Sequence, residues 1–148
     1  MEYKLSVGFN GDLDLLEKMY ADKENKIGTL YTGGYLKEVT SGRYQHSKSE
    51  QELERIVEAV HDKNARLAVT LNSPCNVPPL SEKQWWENVK NYLKHLESIG
   101  VDTAIIAHPF IMALAKENTN LSVAASIICD VNTPRGALYY EDMGADVI

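Results

Sequence analysis

Long apolar runs, an excess of basic charge and paired cysteines are all missing from this 148-residue sequence. No apolar run reaches the roughly 18 residues that a membrane-spanning helix requires. The formal net charge is −6, from 15 basic and 21 acidic residues, so the composition gives no electrostatic footprint for nucleic acid. We therefore expect no membrane partner, and the charge does not indicate a nucleic-acid partner.

The cysteines and the first residues of the sequence indicate the cellular compartment of the protein. Cys75 and Cys129 form no CxxC or Cys/His spacing that would indicate a metal site. The opening residues, MEYKLSVGFNGD, have one basic residue before a short apolar stretch and no A-x-A-like cleavage site, so they predict a first strand and not a signal peptide. We expect a cytoplasmic protein with two reduced thiols.

Several motifs with a known chemistry are also absent. The turn after the first predicted strand, Gly8–Asp12, lacks the GxGxxG spacing of a dinucleotide site, and no phosphate-binding P-loop is present. The sequence contains no HExxH zinc motif, and no Ser, His and Asp set can be assembled from it. No metal ligand and no catalytic residue is therefore assigned, and the cofactor stays unknown.

The sequence does contain a regular alternation of β-rich runs and amphipathic segments. Several β-rich runs are almost continuously apolar, which is typical of strands in a parallel sheet that is covered by helices. The predicted strands are Tyr3–Phe9, Lys26–Tyr31, Arg66–Leu71, Thr103–Ala107 and Leu121–Ile128, and a sixth begins at Asp146.

Helix start signals support the segments between these strands. Ser49 with Glu52, and Ser81 with Gln84, have the spacing of capping boxes at the starts of the second and third helices. Pro109 suits the first turn of the fourth helix, where no backbone donor is needed.

Five strand–helix alternations fit either an open doubly wound sheet or a closed barrel. The missing phosphate turn favours the barrel. We predict an α/β fold with one domain over residues 1–148, the N-terminal portion of a TIM-type (β/α) barrel. It would comprise about five and a half β/α units of parallel sheet and end before closure, because a complete barrel takes about 250 residues. A fragment, or a half-barrel completed by another chain, is the expectation.

Substrate groups in such a barrel come from the carboxyl ends of the strands. Each candidate there also has a structural reading: Asn72 would satisfy a turn, His108 would cap the fourth helix, and Arg43 would be an exposed loop arginine. Cys75 needs a neighbouring base or further ligands to react, and Cys129 reads as a small buried apolar residue. The candidate substrate-binding residues are Arg43, Asn72, His108, Ser126, Asp130 and Asn132.

The segments at these strand ends resemble a known family. They read TSGR at Thr40–Arg43, VTLNSPC at Val69–Cys75, GVDTAIIAHP at Gly100–Pro109 and SVAASIICDVNTPRGALYYEDMGADVI at Ser122–Ile148. The chain is similar to the N-terminal part of the collagenase-like peptidase family U-32. The resemblance implies a hydrolase that acts on peptides or another polar substrate, and it leaves open whether the catalytic groups lie in this chain or outside it. His108 stands where the family often has an acidic residue.

Two alternatives stay open. Other members of the family are associated with hydroxylation of RNA or quinone precursors through iron–sulfur clusters, whose cysteines would lie beyond this chain. A non-catalytic half-barrel that pairs with another chain, or forms a homo-oligomer through exposed sheet edges, is the second alternative.

Overall fold

Strands and helices alternate throughout the part of the chain described by the computed structural model, which is residues 4–22, 25–36, 39, 49–73, 78 and 81–148. The elements in chain order are β1 (Leu5–Gly8), α1 (Leu13–Met19), β2 (Ile27–Gly33), α2 (Glu50–His61), β3 (Arg66–Leu71), α3 (Lys83–Ser98), β4 (Thr103–Ile106), α4 (Pro109–Asn118), β5 (Ser122–Ala125), a 3₁₀ turn (Ile127–Cys129) and α5 (Pro134–Asp142). Within these residues, none of the helices has the length and apolar character to cross a bilayer.

The five strands form one sheet in the order β1-β2-β3-β4-β5, and every neighbouring pair is parallel. Val147 adds an isolated parallel bridge to Ala124, at the start of the sixth predicted strand. Right-handed crossovers between sequential strands place the connecting helices on one side of the sheet. The prediction of an α/β fold built from parallel β/α units is confirmed, and the sheet is not closed.

Alternate residues of each strand face opposite sides of the sheet. On β3, Leu67, Val69 and Leu71 are at most 1% exposed and belong to the apolar core formed with the helices. We call their side of the sheet the helix-side face. The strand register carries this alternation onto the neighbouring strands. The other side, which we call the opposite face, presents one large apolar residue, Ile105, among the small or polar residues Ala68, Thr70, Thr103, Ser122 and Ala124.

Helix starts agree with the sequence signals in two of three cases. The Ser49 hydroxyl accepts a hydrogen bond from the Glu52 amide at 3.2 Å, and α4 begins at Pro109, so both predictions are confirmed. The capping box at Ser81 is wrong. The helix begins at Lys83, and its N-cap, Glu82, makes no side-chain cap, because the chain is still turning at Ser81, whose carbonyl accepts from the Lys83 amide.

The fifth strand is shorter than predicted. It ends at Ala125, and the remainder of the run forms the 3₁₀ turn. The Ser126 hydroxyl accepts from the Ile128 amide at 3.3 Å, and Asp130 ends the turn with a left-handed φ of 48°. A local side-chain hydrogen bond therefore stops the strand inside an apolar run that shows no break in the sequence.

Candidate functional site

Three strand ends bring polar side chains into one row on the opposite face. Leu71, Ile106 and Ala125 are in register on β3, β4 and β5. The next residues along the chain are Asn72, Ala107 and Ser126, and backbone hydrogen bonds from the Ala107 amide to the Leu71 carbonyl and from the Ser126 amide to the Ile106 carbonyl continue the row. These are the carboxyl ends of the strands, where parallel α/β folds place their sites.

Asn72 and Ser126 meet across the middle position of the row, which Ala107 occupies. The Asn72 Nδ2 lies 3.4 Å from the Ser126 Oγ, so the amide donates to the hydroxyl. Ser126 is 3% exposed. A residue with a long side chain between them would separate the pair.

The amide oxygen of Asn72 is buried, and it accepts no hydrogen bond from the described residues. A buried polar atom without a partner costs about 1–3 kcal/mol. A ligand that offers a donor at this position would recover that free energy.

Asp130 and Asn132 follow Ser126 along the chain, after the 3₁₀ turn. The Asn132 Nδ2 lies 3.5 Å from the Asp130 Oδ2, at the limit of a hydrogen bond. Ser126 and Asp130 both line a cavity of about 260 Å³, together with Ile148. The structure thus brings together four of the sequence candidates, which we call the strand-end site: Asn72, Ser126, Asp130 and Asn132.

Ser126 is not arranged as a nucleophile. Its hydroxyl oxygen accepts from two donors, the Asn72 amide and the Ile128 backbone amide. An activated serine instead needs a neighbouring base that accepts its proton. The free hydroxyl proton of Ser126 suits a binding role, in which it is donated to a ligand.

His108 lies at the N-cap of α4 and faces aromatic neighbours. Its ring centroid is 6.2 Å from that of Trp86 and 5.7 Å from that of Phe110. It makes no side-chain cap, so that structural reading is wrong. Its Nδ1 is buried and has no hydrogen-bond partner among the described residues, and burial lowers the pKa of the imidazole. The contacts seen there join His108 to α3 and α4 and not to the strand-end site.

Two candidates from the sequence, Arg43 and Cys75, lie outside the described residues. Cys129 is a free, half-buried thiol whose sulfur lies 3.4 Å from the Ala107 carbonyl oxygen, and burial raises its pKa. A thiol with a raised pKa stays protonated at neutral pH, so it is a poor nucleophile. An iron–sulfur cluster takes about four thiolates, and Cys129 is the single cysteine in the described part of the chain, so these residues do not fit one.

Sequence reasoning missed a second polar cluster, formed by Glu50, Glu54 and His95. Their ligand-type atoms lie within 4.8 Å of one another. The i, i+4 spacing of the two glutamates on a predicted helix was the available signal, since it puts both carboxylates on one helix face. The contribution of His95 from another helix had no local signal.

Comparison with known proteins identifies relatives of the chain. The family model of Peptidase family U32 matches residues 15–148. The solved structure described as the U32 peptidase Mk0906 superposes with a TM-score of 0.74 at 18% identity, over 97% of this chain and 56% of that one. The chain thus spans little more than half the length of that structure, and the likeness concerns the fold.

Two structures of a GH113 β-1,4-mannanase, one of them of a complex, are more distant. They have TM-scores of 0.46 and 0.44 at 11% and 12% identity, and each covers 84% of this chain and 55% of the mannanase chain. No curated protein matches the chain.

Proposed function

The chain belongs to peptidase family U32, and from that premise we propose that it supplies part of a peptide-binding site at the carboxyl ends of its strands. The observation that carries this proposal is the Asn72 amide, which donates to Ser126 and whose buried oxygen accepts no hydrogen bond from the described residues. The residues proposed to bind substrate are Arg43, Asn72, His108, Ser126, Asp130 and Asn132.

The chemistry of the strand-end site suits a peptide backbone. Asn72 offers an acceptor for a peptide N–H, and Ser126 offers a hydroxyl donor for a peptide carbonyl. Asp130 adds a negative charge beside the cavity of about 260 Å³, which favours a cationic or hydrogen-bond-donating group of the substrate. We assign Arg43 to an anionic group, since its planar guanidinium binds carboxylates with two hydrogen bonds.

We assign binding, and not bond cleavage, to these residues. Ser126 has two donors on its oxygen, and Cys129 is held protonated, so neither is an activated nucleophile. In this proposal the groups that cleave the peptide bond come from other parts of the folded enzyme.

A binding experiment tests the proposal. Fluorescein-labelled gelatin peptides would be titrated with the protein, and anisotropy would give the dissociation constant. We expect Asn72→Ala to weaken binding about 10-fold, which corresponds to about 1.4 kcal/mol. Asn91→Ala is the matched control, because Asn91 is an exposed asparagine on α3.

Thermal unfolding of both variants would show whether a loss of binding reflects a loss of fold. Equal weakening by both variants, or a folded Asn72→Ala protein that binds like the wild type, would contradict the proposal. Release of new peptide amines by the protein alone would contradict the assignment of cleavage to other groups.

The apolar surface beside β5 favours a second candidate function, in which the chain is a module that pairs with another copy of itself. Ile127 is 94% exposed and Leu138 is 60% exposed. Tyr139, Val147 and Ile148 on the same end of the chain are also exposed. Such a surface next to an edge strand invites association.

Light scattering tests the pairing. We expect association at high protein concentration that Leu138→Lys weakens and Phe110→Lys leaves unchanged, because Phe110 is equally exposed but lies on α4. A monomer at all concentrations would count against pairing.

The third candidate, an iron–sulfur-dependent hydroxylase, would require iron in anaerobically purified full-length protein.

A further inference from the structure

Two glutamates on α2 and a histidine on α3 converge away from the strand-end site. Glu50 and Glu54 are one helical turn apart, so their side chains project from the same face of α2. His95 reaches them from the last turn of α3. The carboxylate oxygens and the imidazole nitrogen all lie within 4.8 Å of one another, and this is the one such group among the described residues.

The contact between His95 and Glu50 is not an ordinary hydrogen bond. The His95 Nε2 lies 3.1 Å from the Glu50 Oε1, yet this nitrogen is buried and makes no hydrogen bond to the described residues. His61 and Asp102 provide a comparison. Their nitrogen and oxygen lie 2.9 Å apart and do form a hydrogen bond. The His95 contact therefore needs another explanation.

Two ligands of one metal ion meet in this way. With bonds of about 2.0–2.1 Å in a tetrahedral zinc site, neighbouring ligand atoms lie about 3.4 Å apart and point at the ion, not at each other. The His95 to Glu50 distance of 3.1 Å is close to that spacing. The other ligand atoms of the group lie farther apart, so they would have to move closer together around the ion. The Glu50 side chain is 49% exposed and has room to make this movement.

We propose that Glu50, Glu54 and His95 bind a divalent transition-metal ion of the zinc class. One imidazole and two carboxylates are donors that such ions accept, whereas Mg²⁺ and Ca²⁺ favour oxygen donors alone. Three protein ligands leave a fourth position for water or an incoming group. The sequence assigned no metal ligand, and this site is distinct from the proposed peptide-binding residues.

The surroundings of the group agree with a place for a cation. The Tyr35 ring packs against His95 with centroids 5.8 Å apart. The Glu50 and Glu54 carboxylates place negative charge in this partly buried region, which a divalent ion would neutralise.

Metal binding by the purified protein tests the proposal. ZnCl₂ would be titrated into metal-free protein by calorimetry, and Co²⁺ would report the coordination geometry through its visible absorption. We expect one ion per chain and a Tm that rises by about 5 °C at a 100-fold excess of ion over Kd. Glu54→Gln and His95→Gln should each weaken binding at least 10-fold.

The matched control is Glu58→Gln. It removes the same charge from the same helix, but Glu58 is exposed and lies outside the group. Glu50→Gln provides a second test at a half-exposed position if His95→Gln does not fold. Absence of binding at millimolar Zn²⁺, or zinc that binds Glu54→Gln and Glu50→Gln as tightly as the wild type, would overturn the proposal.

Discussion

The two faces of the sheet carry different kinds of side chain on the same strands. On β4, Ile106 belongs to the helix-side face and is 0% exposed, whereas its neighbour Ile105 belongs to the opposite face and is partly exposed. The helix-side face is lined with large apolar residues that pack against α2, α3 and α4. The opposite face ends in Asn72 and Ser126, and the Asn72 amide oxygen has no hydrogen-bond partner in the part of the chain that the structure describes.

This difference separates the residues that stabilise the fold from the residues that we propose to bind substrate. Apolar burial supplies most of the free energy of folding, so the helix-side face accounts for most of the stability of the chain. The opposite face contributes less, and its carboxyl-terminal edge carries the polar side chains of the strand-end site.

The largest expected effect comes from the two adjacent isoleucines of β4. Ile106→Ala should lower the free energy of unfolding by about 3–4 kcal/mol, because it leaves a cavity in a closed core. Ile105→Ala should cost about 1 kcal/mol, since this side chain is only partly buried. Urea denaturation of both variants measures the difference. Equal losses would mean that the opposite face is covered in solution.

The next effect concerns the end of β2 on the helix-side face. A Cβ at Gly34 would overlap the hydroxyl oxygen of Tyr92, so Gly34→Ala should destabilise the chain by about 2 kcal/mol. Tyr92→Phe removes that oxygen and should recover part of the loss in the double variant. Urea denaturation of the four proteins gives the coupling. A double variant as unstable as the sum of the two single variants would show that the overlap is not the cause.

A smaller effect on the free energy of unfolding is expected from Asp146, beside β5. The Asp146 carboxylate accepts hydrogen bonds from the Lys116 ammonium and from the Val123 amide, and these lower its pKa below the ordinary 3.8. Asp146→Asn should cost about 1 kcal/mol at pH 7, because the ion pair is exposed and screened.

The pH dependence follows from the lowered pKa of Asp146. A depressed carboxyl pKa stabilises the folded state fully above the ordinary value of 3.8, and the contribution is lost as the pH falls through the folded value. The gap between wild type and Asp146→Asn should therefore close in acid. Thermal melts at pH 7 and pH 3 measure it, and a constant gap would refute this account.

The smallest expected effect comes from His108, at the N-cap of α4. Burial lowers its pKa below 6.5, so the unfolded chain binds this proton more readily. Its contribution is present above pH 6.5 and is lost as the pH falls through the folded value. His108→Gln should lose less stability than the wild type between pH 7 and pH 5, and identical losses would refute the assignment.

The fold was readable from the sequence because its signals are local. Apolar runs predict strands, and Ser49 and Pro109 mark helix starts within a few residues. The boundary at Ser126 was not readable, because the run from Ser122 to Ile128 is apolar on both sides of the serine. The strand ends where the Ser126 hydroxyl accepts from the Ile128 amide and the Ser126 carbonyl accepts from the Cys129 amide.

The candidate site was readable in part. The rule that parallel strands point their carboxyl ends the same way grouped Asn72 with Ser126, although they are far apart in the chain. The contact itself depends on register and on the small Ala107 between them. The group around His95 depends on how α2 packs near α3, which side-chain spacing within one helix does not encode.

The sequential strand order has a consequence for assembly. In the described sheet, each strand pairs with the strand before or after it in the chain, so every pairing closes a loop of modest length. Contacts that are short in sequence favour rapid folding. The chain can therefore grow outward from an interior pair such as β3 and β4, one unit at a time, and amide hydrogens should exchange first at β1 and β5 and last in the middle.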